Sequence, residues 1–330
     1  MKKTVFRTLF VITLGLFLFL AIEKTEDPPI EKITEVVVEE ETYTLLFGGD
    51  MMLDRGVKYM VEKHGENYHF PFLNIQETLI SADLLFANLE SMISDKGYDV
   101  GGLYSFRADP EAMEGLVFAG FDIVTLANNH TFDYTREAFE DTMKRLEEAG
   151  IAYTGAGFNE EEAHSPTILL LEDGTKIGFL GYTEFLYPHA FATEDRSGVT
   201  VFNEENMERD IVKAKEEVDL LVVTFHYGDE YKEKAHPRQE TWSRSAVDHG
   251  ADLVIGHHPH VTQQIEEYNG KYIAYSLGNF IFDQYFSEET MSGFLFEVSV
   301  KGKEIVGARK IHYKLNEFYQ PKVTEIETLE

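Results

Sequence analysis

The sequence predicts a layered α/β fold with a mixed sheet or two packed sheets. Short continuous apolar runs, the mark of strands buried on both faces, recur at Leu84–Ala87, Ile123–Leu126, Leu220–Phe225 and Leu253–Ile255. Segments of helical periodicity separate them, at Pro110–Phe118, Thr135–Ala149, Glu204–Glu217 and Pro237–His249. The hairpin signal Asp173-Gly174, between Ile168–Glu172 and Lys176–Gly181, adds antiparallel pairing to this alternation.

The elements follow in order along the chain. Lys2, Lys3 and Arg7 precede an uncharged apolar run from Thr8 to Ile22, and acidic residues follow it. A basic flank before an apolar segment directs the chain that follows out of the cytoplasm. The run is shorter than the roughly 20 residues of a full span. Counted from Thr4, with Arg7 snorkelling, it becomes long enough. No small-x-small cleavage pattern occurs at Leu20-Ala21-Ile22-Glu23. The expectation is an uncleaved anchor over residues 1–22, with a cleaved signal peptide as its competitor. Both put the body of the chain outside the membrane.

Residues 23–41 read as an acidic linker, since Glu23, Glu26, Asp27, Glu31, Glu35 and Glu39 to Glu41 repel one another and Pro28-Pro29 opposes a helix. A globular domain is expected over 42–300, opening with a strand at Tyr43–Gly48. Gly120 and Gly150 stand where helix-terminating glycines stand. Tyr272–Ser276 and Phe294–Val300 read as further strands. Residues 301–330 are strand-like, then charged: a C-terminal strand and tail without an assigned role.

Composition narrows the functions. With 29 Lys+Arg against 59 Asp+Glu, the formal charge is −30, which excludes nucleic acid as the main partner because phosphate binding is driven by Lys and Arg. An anion must instead be held locally, by a metal or a focused positive pocket. The absence of cysteine excludes disulfides, thiolate zinc sites, a cysteine nucleophile and a lipidated N-terminal cysteine.

Ligands of α/β folds bind beyond the carboxyl ends of strands, and here those ends carry the chemistry. The first gives Gly48-Gly49-Asp50, the second Asn88-Leu89-Glu90, the third Asn128-Asn129-His130 with Asp133. The fourth runs into His226-Tyr227-Gly228-Asp229-Glu230. The fifth opens Gly256-His257-His258-Pro259-His260, three histidines in four positions of a chain with 12 in all. Ser276-Leu277-Gly278-Asn279-Phe280 follows a sixth. Each alone has an ordinary reading: Asp50 as a helix cap, Asn129 as a turn residue, Glu230 as a solvated charge. Converging from five strands they point to one shared site, and Asp, Glu, Asn and His together suit Mn, Fe or Zn.

The order of these motifs resembles the capsule-synthesis family CapA, called PgsA in poly-γ-glutamate producers, which looks like a branch of the calcineurin-like metallophosphoesterases. Matching residues are Gly49-Asp50-Met51-Met52, Asn88-Leu89-Glu90, Ala127-Asn128-Asn129-His130 with Asp133-Tyr134, Gly155-Ala156-Gly157, His226-Tyr227-Gly228 with Glu230-Tyr231, His258-Pro259-His260-Val261 and Ser276 to Phe280. They cover about residues 43 to 285. The resemblance implies a four-layer α/β/β/α sandwich and a role in making or exporting an anionic polymer such as poly-γ-glutamate, alongside membrane synthase subunits.

It also implies a two-ion site. Asp50, Glu90, Asn129, His226, His258 and His260 would be the metal ligands. The phosphoesterase pattern has Asp-x-His on its first strand, whereas Asp50 is followed by Met51 and Met52, so one metal position looks depleted. His130, oriented by Asp133, would stabilise the transition state or protonate the leaving oxygen. Asn88, Glu230 and Asn279 would support the ligands and His257 would point away. Independently of the resemblance, Arg107 in Phe106-Arg107-Ala108 is a candidate to hold a substrate anion, with an ordinary surface arginine as its alternative. Two rivals stand beside the phosphoesterase: a non-catalytic polymer-binding or assembly component, favoured by the missing histidine, and a metal-dependent amide hydrolase acting on the polymer.

Overall fold

The computed structural model describes residues 41–185 and 189–329. The expected anchor, 1–22, and the linker up to residue 40 lie outside the described residues. Among the described residues, no helix is long and apolar enough to cross a membrane.

Two mixed sheets carry the fold. In the first, Thr42–Met51, Leu84–Leu89, Ile123–Thr125 and Ala152–Thr154 run parallel, side by side. The chain then builds the second sheet. Its centre is parallel: Lys176–Thr183, Leu220–His226, Leu253–His257 and Lys271–Ala274. The antiparallel strands Thr167–Leu170 and Ile265–Tyr268 close its two edges. The Thr167–Leu170 edge is the hairpin that Asp173-Gly174 predicts.

The chain finally returns to the first sheet. Asn279–Ile281 pairs parallel with the end of Thr42–Met51, bringing Asp50 opposite Asn279. Ser292–Lys301, Glu304–Leu315 and Pro321–Leu329 follow as an antiparallel meander on the same flank. The segment after Lys301 is therefore part of the sheet. It buries Ile311 and Tyr313, and Tyr313 donates its hydroxyl to the Asn279 carbonyl at 2.9 Å.

The alternation along each strand explains the layering, because successive side chains point to opposite faces. Leu45, Phe47, Leu84 and Phe86 meet Ile177, Phe179, Leu220, Val222, Leu253 and Ile255 in a core between the sheets. Phe86 stacks on Phe179 there, centroids 5.8 Å apart. Leu46, Leu85 and Val124 face the other way, onto Leu116, Phe139, Met143 and Leu146 of the helices Ala112–Ala119 and Thr135–Ala149. Leu221, Val223 and Val254 pack on Met207, Ile211 and Ala246 of Glu204–Ala214 and Pro237–His249. The layers thus run helix, sheet, sheet, helix.

Helix ends follow local chemistry. Gly120 and Gly150 adopt φ of 81° and 75°, the left-handed conformation that stops a helix. The Glu204 helix ends at Ala214 rather than Glu217, where a tighter turn takes over and the Glu217 N–H donates to the Ala214 carbonyl.

Candidate metal centre

The centre forms where the carboxyl ends of the two sheets meet. A Cβ on Gly49 would lie 1.9 Å from the Gly278 carbonyl oxygen, so only glycine lets these segments approach. The Asp50 N–H donates to that oxygen at 3.0 Å. Asp50 is thereby fixed at the bottom of the site, fully buried.

Asn88 joins the carboxylates. Its Nδ2 donates to Asp50 Oδ1 at 2.8 Å and to Glu90 Oε1 at 3.0 Å, and lies 3.3 Å from His226 Nδ1. Asn128 holds Asn88 in turn, donating to its Oδ1 at 3.1 Å and to the Leu89 carbonyl at 2.8 Å. This orients the amide so that its N–H groups face the carboxylates.

The histidines come from the second sheet. His226 ends its strand with Nε2 2.7 Å from Asn129 Oδ1 and 3.2 Å from His258 Nδ1. His258 and His260 flank Pro259 with φ of 97° and 59°. Left-handed backbone at non-glycine residues costs about 1–3 kcal/mol each and gathers at functional sites. The turn aims both rings inward. The His258 N–H donates to Asp50 Oδ2 at 3.1 Å, and His260 Nδ1 lies 3.0 Å from Asn279 Oδ1.

Electrostatics pull the site in two directions. Burial raises the Asp50 carboxyl, but His257 and His260, close against its oxygens, outweigh this and hold it well below the usual range. Burial and then the Asp50 charge push Glu90 well above it. Burial, with His258 nearby, holds His226 well below the ordinary imidazole value. Burial and the neighbouring His260 bring His258 down to about 3. His226 and His258 are therefore neutral and hold free lone pairs, as metal ligands require.

These donors fall into two triads. One is Asp50, Glu90 and His226; the other is Glu230, His258 and His260. Within each, one donor atom per residue lies within 4.8 Å of the others. The buried Glu90 Oε2 has no hydrogen-bond partner. A buried carboxyl oxygen without a partner is costly, and a divalent cation would supply one. The donor set fits Mn, Fe or Zn. Glu230 stands with the histidines as a candidate ligand, where the sequence reading places it as a support.

His257 also departs from expectation. Its strand pairs with Leu220–His226 in the register His226 opposite His257, so both side chains share the face toward the first sheet. It does not point away: the buried ring has Nδ1 3.3 Å from Asp50 Oδ1, outside hydrogen-bond geometry.

His130 sits at the edge of the centre, nearly buried. Its Nδ1 lies 2.7 Å from Asp133 Oδ2, its ring packs 4.2 Å from Phe106, and Asp133 also accepts from the Phe106 N–H at 3.0 Å. Arg107 is placed differently from the other candidates. Its guanidinium donates to the Lys96 and Gly97 carbonyls and lies 4.2 Å over the Tyr134 ring.

Sequence reasoning did not single out the Glu184–Arg238 pair. Glu184 accepts Arg238 Nε at 2.8 Å, Arg238 Nη2 at 3.0 Å and the Gly228 N–H at 2.6 Å. Arg238 also donates to the Gly228 carbonyl and Asp229 Oδ1. The pair clamps the loop between His226 and Glu230, one residue from each triad. Glu184 directly follows the strand Lys176–Thr183, an end the sequence reading passed over, whereas Arg238 lies in the first turn of Pro237–His249, where no strand-end signal marks it.

Residues 44–284 match the family "Bacterial capsule synthesis protein PGA_cap". The capsule biosynthesis protein CapA of Bacillus anthracis is 35% identical over 254 residues, covering 74% of this chain and 61% of that protein. The PGA biosynthesis protein CapA of Bacillus subtilis is 30% identical over 285 residues, covering 86% of this chain and 73% of that protein. The chain thus spans under two thirds of the first relative's length. Among solved structures, the NAD nucleotidase of Haemophilus influenzae superposes with a TM-score of 0.49 at 12% identity, covering 86% of this chain and 60% of that one. The calcineurin-like phosphoesterase YfkN of Bacillus subtilis gives a TM-score of 0.40 at 14% identity, covering 88% and 90%. With most of its length matched by the family and two relatives at 30% identity or more, the chain belongs to the bacterial capsule synthesis protein PGA_cap family.

Proposed function

We propose that this chain is a membrane-anchored, extracytoplasmic component of capsule or poly-γ-glutamate synthesis or export, and that its centre is a divalent-metal hydrolase site of phosphoesterase type. The observation that carries the proposal is the adjacency of the two triads, linked by the 3.2 Å approach of His226 Nε2 to His258 Nδ1. The names of the relatives support the polymer role, and the basic-then-apolar N-terminus supports the anchor. Partners would be the anionic polymer and membrane synthase subunits.

Asp50, Glu90 and His226 would hold one ion, and Glu230, His258 and His260 the other, with Asn129 beside His226 as a further ligand. Two such ions polarise a phosphoryl oxygen and lower the pKa of water. The protein's own groups do the rest. Asn88 keeps the two carboxylates apart in orientation. Asp133 fixes His130 through Nδ1, leaving Nε2 to pass a proton to the leaving oxygen. Asn279 orients His260, as residues behind a ligand do.

A second reading, a non-catalytic polymer-binding or assembly role, is favoured by one observation. Met52 is fully buried where the phosphoesterase pattern has a histidine. One experiment separates the two. The full-length chain, purified without chelator, is assayed for metal content and for turnover of a generic phosphodiester and monoester with added Mn(II). Two ions per chain with turnover supports the hydrolase. One ion or none, with no turnover, supports the binding role and sinks the hydrolase reading.

A further inference from the structure

A cleft of about 330 Å³ opens beside the metal centre and shares a wall with it, formed by Asn129, His130 and Asp133. The segment Val100–Tyr104 lines the cleft as well. Asp99 Oδ1 shapes this turn by accepting from the Gly101 N–H at 2.7 Å and Ser105 Oγ at 2.8 Å, and the Val100 N–H donates to the Asp133 carbonyl at 2.9 Å. The turn is thus tied directly to the residue that orients His130.

The turn holds large apolar side chains in water. Leu103 is 90% exposed, Tyr104 62% and Val100 55%. Single exposed apolar residues are ordinary, but a group of them rimming a pocket marks a binding surface. The cleft's charge is equally informative. Among the described residues its wall carries no lysine or arginine. Arg136 stacks on the wall residue Phe132, but its guanidinium donates to Ser197 Oγ and the His189 carbonyl. Arg107 is committed to the Lys96 and Gly97 carbonyls. With Asp133 in its lining and no lysine or arginine there, the cleft offers a polyanion no cationic partner of its own and leaves its apolar rim to an uncharged group.

We propose that this cleft binds an apolar alcohol portion of the substrate, an alkyl or aryl group esterified to the phosphoryl group held at the metal centre, and that Leu103 and Tyr104 determine this specificity. The polyanionic chain is not the group seated beside His130. The inference rests on the metal-dependent phosphoryl reading proposed above and adds the substrate class.

The test is equilibrium binding of non-hydrolysable probes to the Mn(II)-loaded full-length protein: methylphosphonate, phenylphosphonate, octylphosphonate and a γ-glutamyl oligomer. Phenyl- or octylphosphonate should bind about tenfold or more tightly than methylphosphonate, as expected for burying that much apolar surface. The two arms distinguish an aryl from an alkyl group. Leu103→Ser combined with Tyr104→Ser should remove the preference and leave methylphosphonate binding unchanged. Both residues are exposed, so an unchanged melting temperature will show that the variant is folded. If methylphosphonate binds but the larger phosphonates gain nothing, or the double variant keeps the preference, the inference fails alone. It also fails if the glutamyl oligomer competes more tightly than the phenyl and octyl probes. If no phosphonate binds, the phosphoryl reading fails and takes the inference with it.

Discussion

Asn88 and Asp50 face each other across two parallel strands, and the Asn88 amide donates to Asp50 Oδ1 at 2.8 Å while also reaching Glu90 Oε1 at 3.0 Å. One neutral donor therefore separates two buried carboxylates. Asn88→Asp puts a third carboxylate there. Without metal, it should destabilise the protein by about 3–5 kcal/mol, the usual range for uncompensated buried charge. Added Mn(II) should restore much of the loss through preferential binding to the folded state. Thermal melts of both proteins with and without Mn(II) check this. A variant whose deficit ignores the metal would remove the cation from the account.

His130 is held by Asp133 at 2.7 Å and belongs to neither triad. His130→Ala should therefore lower kcat on a phosphoester by about 10²–10⁴-fold, the range for a lost general acid, while metal content stays the same. Asp133→Asn should fall between the variant and the parent. Turnover measured beside elemental analysis decides; loss of metal from His130→Ala would move that residue among the ligands.

The site was legible where chemistry-bearing residues end apolar strands. Asp50, Glu90, His226, His258 and His260 each end or closely follow such a run, and that position puts them at one end of the two sheets. Three features were not legible, because they depend on contacts distant in sequence. Glu184 meets Arg238 across 54 positions. The burial of His257 depends on the register that sets it opposite His226. The strands after Lys301 show weak alternation, and their place in the sheet comes from pairing with Ser292–Lys301. The helix Arg55–Lys63 was also passed over, although Val57, Met60 and Val61 stand at helical spacing, because the segment is only nine residues long.

Away from the centre, Asp141 predicts a pH effect. Burial works against its charge, but Lys96, Arg145 and Ser94 donate to it at 2.6, 2.8 and 2.7 Å and lower its carboxyl to about 2. A folded-state value below the unfolded one of about 3.9 means that the unfolded chain binds the proton first as pH falls. The stabilisation is thus full above about pH 4 and is lost as pH drops toward about 2. After discounting for solvent around Lys96, it amounts to about 1–2 kcal/mol. Asp141→Asn should be destabilised by about that amount near pH 6 and approach the parent near pH 2.5. Urea unfolding at the two pH values measures it. A constant difference would assign the effect to packing.

Arg238 touches neither triad, yet it determines where one residue of each stands. Its side chain grips Glu184, the Gly228 carbonyl and Asp229, and Glu184 grips the Gly228 N–H, so the chain between His226 and Glu230 is held from both sides. Lysine keeps the charge but loses the planar fork that makes these bonds simultaneously. Arg238→Lys should therefore weaken Mn(II) binding by about 10–100-fold, as the loss of residues behind metal ligands does. The second sheet does not depend on this pair for its core, so the metal-free melting temperature should change little. Glu184→Gln should weaken binding less, because the amide oxygen still accepts one bond. Titration of Mn(II) into each variant, beside a metal-free melt, separates positioning from stability. Equal losses in both measurements would make the clamp a structural support alone, whereas a loss confined to affinity ties the loop directly to the two triads.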